Sequence, residues 1–129
     1  MPLVRITQHD VRTPEQSRQL ADIVQEVMLE LFAAPPGDRY QILETLPAGS
    51  IIADDTGLGI ERSDGVVIIQ VTQQGRDAGQ KQAVYAALAE RLGRAGLVRP
   101  EDLIVSVVEN RLEDWSFGHG RAQFLTGEL

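Results

Sequence analysis

The sequence predicts an α+β fold in which duplicated β-α-β units form a four-stranded mixed sheet with two helices on one face. Three observations predict it. Two long amphipathic segments are each flanked by apolar, β-rich runs; the two flanked segments superpose with one constant offset; and each pair of flanking runs is too far apart for a hairpin. Strands separated by a helix join in parallel through a right-handed crossover. Two such units can share one sheet and cover it from the same side. A chain of 129 residues is one domain with room for a real core.

The first strand is Leu3-Val4-Arg5-Ile6, and Pro2 stands directly before it. Proline has no N–H for a sheet ladder, but it is tolerated as the first residue of a strand. A chemical reading competes with that structural one: loss of Met1 would make Pro2 a free secondary amine. The residues alone leave both open.

The first helix is predicted over "TPEQSRQLADIVQEVMLELF". Thr13 is its N-cap, Pro14 its first residue and Gln16 the partner in a capping box. Leu20, Ile23, Val24, Val27, Met28 and Leu31 recur at three- and four-residue spacing and make one buried face. "APPGDRY" ends it, and Tyr40-Gln41-Ile42-Leu43 is the second strand. The turn-rich stretch from Leu46 to Gly65 is expected to hold a short strand at Ser50 to Ala53.

The second unit repeats the order: a strand at Val66 to Val71, a turn at "TQQGRD", a helix over "AGQKQAVYAALAERL" and a strand at Leu103 to Val108. Thr13 and Asp77 lie 64 residues apart, as do Gln16 and Gln80, Leu20 and Val84, Pro36 and Pro100, and Asp38 and Asp102. One gapless offset through caps, core positions and the terminating proline marks an internal repeat of about 2–44 and 66–108. It is not symmetric in chemistry: Val66 stands mid-chain where the first unit has Pro2, so only the first unit can offer a free amine. A ferredoxin-like β-α-β-β-α-β layer is compatible with the same element order.

Composition limits the function. The absence of cysteine excludes disulfides, thiolate metal sites and thiol nucleophiles. A net charge of −7, with scattered arginines and Lys81 as the only lysine, argues against nucleic acid, which needs clustered cations. No segment has the length of a membrane span or the pattern of a signal peptide, so a cytoplasmic location without membrane attachment is expected. His9 and His119 have no third nitrogen or thiolate partner, and no metal site is expected. "DDTGLG" lacks the strand-to-helix setting of a phosphate loop and reads as a turn.

The tail "NRLEDWSFGHGRAQFLTGEL" carries Trp115, Phe117 and Phe124. These rings are read as packing across a subunit boundary, lining a pocket, or capping an open end of the core.

Pro2, Asp38 and Arg76, with "DRYQ", "DTGLG" and "DWSFGHGRAQFLTGEL", make the chain resemble the tautomerase superfamily, in its malonate semialdehyde decarboxylase-like branch. The likeness spans nearly the whole chain. It implies a homotrimer, removal of Met1, no cofactor and a small carboxylate substrate. Pro2, Asp38 and Arg76 are its implied catalytic residues, with Asp38 orienting a water or hydrogen-bonding Pro2, and Arg76 gripping the carboxylate. Trp115, Phe117 and Phe124 are implied as an apolar substrate wall. The branch carries an R-P-R turn; here the turn is Gln74-Gly75-Arg76, so Gln74 replaces the first arginine at a substrate-binding position. Keto–enol tautomerisation of a 2-keto or enol acid is therefore the expected activity. Decarboxylase or hydratase chemistry on a 3-oxo acid, or a non-catalytic binding role on the same scaffold, are the alternatives.

Overall fold

A computed structural model describes residues 1–129 and places β1 (Leu3–His9), α1 (Pro14–Leu31), β2 (Tyr40–Leu46), β3 (Val67–Gln74), α2 (Ala78–Arg94) and β4 (Leu103–Asn110) in that order. The sheet order is β2-β1-β3-β4. β1 pairs in parallel with β2 and β3 with β4, while β1 and β3 run antiparallel at the centre. Each β-α-β unit therefore closes on a directly adjacent strand. A ferredoxin-like layer would split the unit with another strand, and this register excludes it.

The helix starts follow the local sequence. Thr13 accepts from the Gln16 backbone N–H while the Gln16 side chain accepts from the Thr13 N–H, and Asp77 and Gln80 do the same at α2. A cap of this kind contributes about 1 kcal/mol. Both helices bury their apolar faces on one side of the sheet. Val4, Ile6, Ile69 and Val71 meet Leu20, Val24 and Met28 of α1 and Val84, Leu88 and Leu92 of α2 in a single core. The helix-free face carries Leu3, Tyr40, Ile42 and Val108, all exposed.

The strands run further than the apolar runs, through His9, Leu46, Gln74 and Asn110, because ladder pairing continues across polar residues. The strand expected at Ser50 to Ala53 does not form. Ser50 N–H donates to Pro47 O in a turn at 3.1 Å, and Ile51 N–H donates to His9 Nε2 at 2.9 Å. His9 is 2% exposed, and its Nδ1 donates to Asp64 O at 2.9 Å. The histidine thus staples both ends of the loop to β1 and takes the donor a strand would need.

Asp102 anchors the second unit. Its carboxylate accepts from Ser63 N–H at 2.7 Å, from Ser63 Oγ at 2.6 Å and from Arg99 Nε at 3.0 Å. Burial works against its ionised form, but the bonds from Arg99 and Ser63 prevail and hold the carboxyl below the usual range. A depressed carboxylate contributes stability that is present above the unfolded value and lost as pH falls through the folded one. Asp102→Asn is accordingly expected to cost about 2 kcal/mol at neutral pH. That deficit should shrink on acidification, as denaturant unfolding at pH 7 and near pH 3 would reveal; a constant deficit contradicts the assignment.

Candidate active site

The site residues of the first unit converge at the start of β1. Pro2 is buried because it enters the sheet on the helix side, in phase with Val4 and Ile6. Asp38 lies in the turn before β2, its N–H donating to Pro35 O at 3.0 Å and its carbonyl accepting from Gln25 Nε2 at 2.9 Å. Gln25 is a buried polar residue on the inner side of α1, and there it fixes the aspartate. The carboxylate is 4% exposed and lies 3.7 Å from the chain's amine, which here is that of Met1. Oδ2 has no hydrogen bond, so the amine is the partner nearest to hand.

The two groups tune each other. Burial pushes the Asp38 carboxyl up, partly opposed by the amine's charge. Burial pulls the amine down; Asp38 raises it, and Arg76 lowers it further. The net direction is a weakened ammonium, closer to a neutral base than an exposed terminus would be.

Arg76 differs from expectation. No carboxylate pairs with it, neither Asp77 nor Glu61, and its guanidinium is turned onto protein oxygens. Nε donates to Phe32 O at 2.7 Å, and Nη1 to Gln74 O at 2.7 Å and Gly75 O at 3.0 Å. Nη2 reaches Ala33 O at 3.5 Å and the Gln73 amide, whose oxygen is assigned toward the guanidinium. The Phe32 ring lies under it, 5.6 Å from the guanidinium carbon to the centroid. A fully free fork is therefore absent. What Arg76 brings is an unneutralised charge at the end of α1, whose contact with Ala33 O is the longest of its bonds.

Gln74 belongs to the same turn, and its buried Oε1 has no hydrogen-bond partner. Gly75 has φ of +55°, a left-handed conformation closed to proline, whose ring holds φ near −65°.

The aromatic tail forms a cluster of its own. Trp115 and Phe117 stack at 5.3 Å, Phe117 lies 5.3 Å from Tyr40, and Phe124 meets Phe117 edge-on at 5.7 Å. Trp115 Nε1 donates to Asn110 Oδ1 at 3.0 Å, and Asn110 is the sheet partner of Gln74. Gln123 locks the loop, accepting from Phe117 N–H at 2.9 Å and donating to Gly118 O at 3.0 Å. The rings are half-buried within one protomer, reaching from the Gln74 end of β4 to Tyr40.

Sequence reasoning missed Gln25, Gln73, Phe32 and Tyr40. Only Gln25 left a signal, as a polar residue bordering an apolar helix face; the others are assembled by the sheet.

Two family models, both described as "Tautomerase enzyme", match residues 2–61 and 38–118. The probable tautomerase YrdN of Bacillus subtilis (strain 168) is 44% identical over 129 residues, covering 100% of both chains. This chain belongs to the tautomerase superfamily. The probable tautomerase YusQ of the same organism is 32% identical, over 97% of this chain and 99% of that protein. Among solved structures, the FG41 malonate semialdehyde decarboxylase inhibited by 3-bromopropiolate superposes with a TM-score of 0.93. It is 46% identical, with 98% of this chain and 97% of that chain covered. A second malonate semialdehyde decarboxylase, described with decarboxylase and hydratase activities, has a TM-score of 0.92 at 40% identity, with 98% of each chain covered. A native fused 4-OT, 20% identical with a TM-score of 0.77, covers 96% of this chain and 98% of its own and shares the fold.

Proposed function

We propose that this superfamily member is a cofactor-independent enzyme whose Pro2 nitrogen, exposed by removal of Met1, interconverts the keto and enol forms of a small 2-oxo acid. The observation that carries this reading is the buried amine–carboxylate pair of 3.7 Å beside an arginine that has no carboxylate partner. Excision of Met1 moves the amine to Pro2, which is already buried and aligned by β1. As a neutral base it takes the enol O–H proton; the O–H electron pair becomes the carbonyl, and the C=C pair captures a proton at C3 from the same ammonium. Asp38 steadies that ammonium between the two transfers. Arg76 attracts the substrate carboxylate by exchanging its loose Ala33 contact for it. The apolar helix-free sheet face, with Leu3, Tyr40, Ile42 and Val108 exposed, supports assembly into a homotrimer. The tail cluster of Trp115, Phe117 and Phe124 supplies the apolar wall.

A second reading is favoured by the likeness to malonate semialdehyde decarboxylases at 46% and 40% identity: loss of CO₂ from a 3-oxo acid, with the amine as ammonium. Gln74, standing where that branch's first arginine is expected, weighs against it as the main activity.

A 3-halopropiolate tests the shared core of both readings. Stoichiometric alkylation of the N-terminal peptide at Pro2, abolished by prior acetylation of the amine, is the expected mass-spectrometric result. Modification elsewhere, or an N-terminal peptide that still begins with Met1, overturns the assignment. Turnover of phenylenolpyruvate against CO₂ release from malonate semialdehyde then separates the two chemistries.

A further inference from the structure

The internal repeat carries a second pocket. Adding 64 to Met1, Arg12's own partner being Arg76, relates Met1 to Gly65, Pro2 to Val66, Asp38 to Asp102 and Arg12 to Arg76. The fold keeps these relations in space: Asp102 N–H donates to Arg99 O at 2.9 Å, as Asp38 N–H does to Pro35 O at 3.0 Å. Between Arg12, Ser63, Gly65, Leu97, Arg99 and Asp102 lies a cavity of about 420 Å³. It is lined from both units, by Val11 and Arg12 after β1 and by the second unit's Leu97 to Asp102, and shares no lining residue with the Pro2–Asp38–Arg76 cluster.

Its chemistry differs from that of the first site in one respect. No amine is present, since Gly65 and Val66 are joined by an ordinary peptide bond. Asp102 has turned to Arg99 and Ser63, so its charge is spent inside the protein. Arg12 has not been matched in this way. Its Nε donates to Leu97 O at 2.8 Å, Nη1 to Gln8 Oε1 at 3.2 Å and Nη2 to Gly65 O at 2.7 Å, and none of these acceptors is charged. Three of five guanidinium N–H groups are used and two are left. A half-buried arginine in that state attracts an anion more strongly than an exposed one, because water screens it less. Around the Gly65 Cα the polar atoms close in: a Cβ built there would stand 3.1 Å from Asp102 Oδ2, 3.2 Å from Ser63 Oγ and 3.6 Å from Arg12 Nη2. The walls beside them, Leu97, Val98 and Val11, are apolar. The lining holds a second arginine, Arg99, which is paired with Asp102 and Glu101, and the Ser63 hydroxyl donates to Asp102. Arg12 is thus the one cation there with no carboxylate partner, and set against the apolar wall it fits a short-chain carboxylic acid.

We propose that this pocket is a second carboxylate site, one that binds small acids without converting them. The acid class is borrowed from the reading of the Pro2 site, whereas the binding depends only on Arg12 and its surroundings. A pocket without an amine cannot move the proton, so occupancy here is recognition alone.

Calorimetric titration of the wild-type protein with malonate, joined by the NMR shifts of arginine Nε–H groups, tests this. Two malonates per protomer are expected, one perturbing Arg76 and the other Arg12. Arg12→Gln should abolish the second and leave the first within about twofold, and Arg76→Gln should do the reverse. Because Arg12 also ties Leu97 and Gly65 to β1, Val11→Trp provides a second route: Val11 is exposed at the pocket and touches none of the arginine's bonds. It should weaken the Arg12-linked binding at least tenfold. A titration with no Arg12-linked malonate, or an event assigned to Arg12 that is indifferent to both Arg12→Gln and Val11→Trp, overturns the proposal. A wild-type titration that loses only the Arg76-linked event counts against the reading of the Pro2 site and leaves the Arg12 site standing.

Discussion

Pro2→Ala, in protein from which Met1 has been removed, should lower kcat for phenylenolpyruvate by about 10²-fold, at the low end of what a positioned acid–base group contributes. Alanine keeps an amine but loses the ring that fixes its direction at the mouth of β1, so the loss is one of orientation. Stability should change little, because the Pro2 position contributes no N–H to the ladder and the central pairing begins at Leu3–Thr72. Progress curves of the ketonisation, with circular dichroism as the control for folding, are the measurement. Activity within about threefold of the wild type would remove Pro2 from the chemistry.

Arg76→Gln should reduce kcat/KM by about 30- to 150-fold, the equivalent of about 2–3 kcal/mol for hydrogen bonds to a charged group. Most of the loss should fall on KM, since the carboxylate is held in ground state and transition state alike. A second consequence follows from the field of the guanidinium. Its positive charge pulls the Met1 amine's pKa down and acts in the same direction on an amine at Pro2, so removing it lets that pKa rise. The acid limb of the kcat/KM profile, where the base must lose its proton, should therefore move to higher pH. A role confined to bracing the end of α1 through Phe32 would lower stability and leave that limb in place. Gln74→Arg, by contrast, adds a second positive charge to the Arg76 turn, at a side chain whose Oε1 is buried without a partner. The change is expected to raise CO₂ release from malonate semialdehyde by less than tenfold.

The two halves of the site were unequally legible in the sequence. Pro2 is singled out by its place directly after Met1 and Asp38 by the resemblance of "DRYQ" to the superfamily, and the structure brings the chain's amine to Asp38. The bonds of Arg76 could not be read. Its partners Phe32 and Ala33 lie more than 40 residues away in sequence, and the crossover brings them to the turn after β3. His9 escaped for the same reason. Its two contacts, Ile51 and Asp64, come from opposite ends of one loop, and no local pattern announces a staple. The loop's apolar pair Ile51-Ile52 reads as a strand only while that histidine is out of view.

The sequence by itself determined the number of units, their caps, the buried faces of both helices and the place where a free amine can exist. These follow from short-range physics: helical periodicity, capping chemistry and the rule that only a chain end offers an amine. Tertiary structure alone decided the sheet order, the 3.7 Å approach of the amine to Asp38, and the caging of Arg76 by carbonyls. It also decided that Asp102 is neutralised by Arg99 while Arg12 is left without a carboxylate. Charge balance in a buried site depends on which distant oxygens fold against which nitrogens, and a one-dimensional pattern carries the identities of those groups but not their separations.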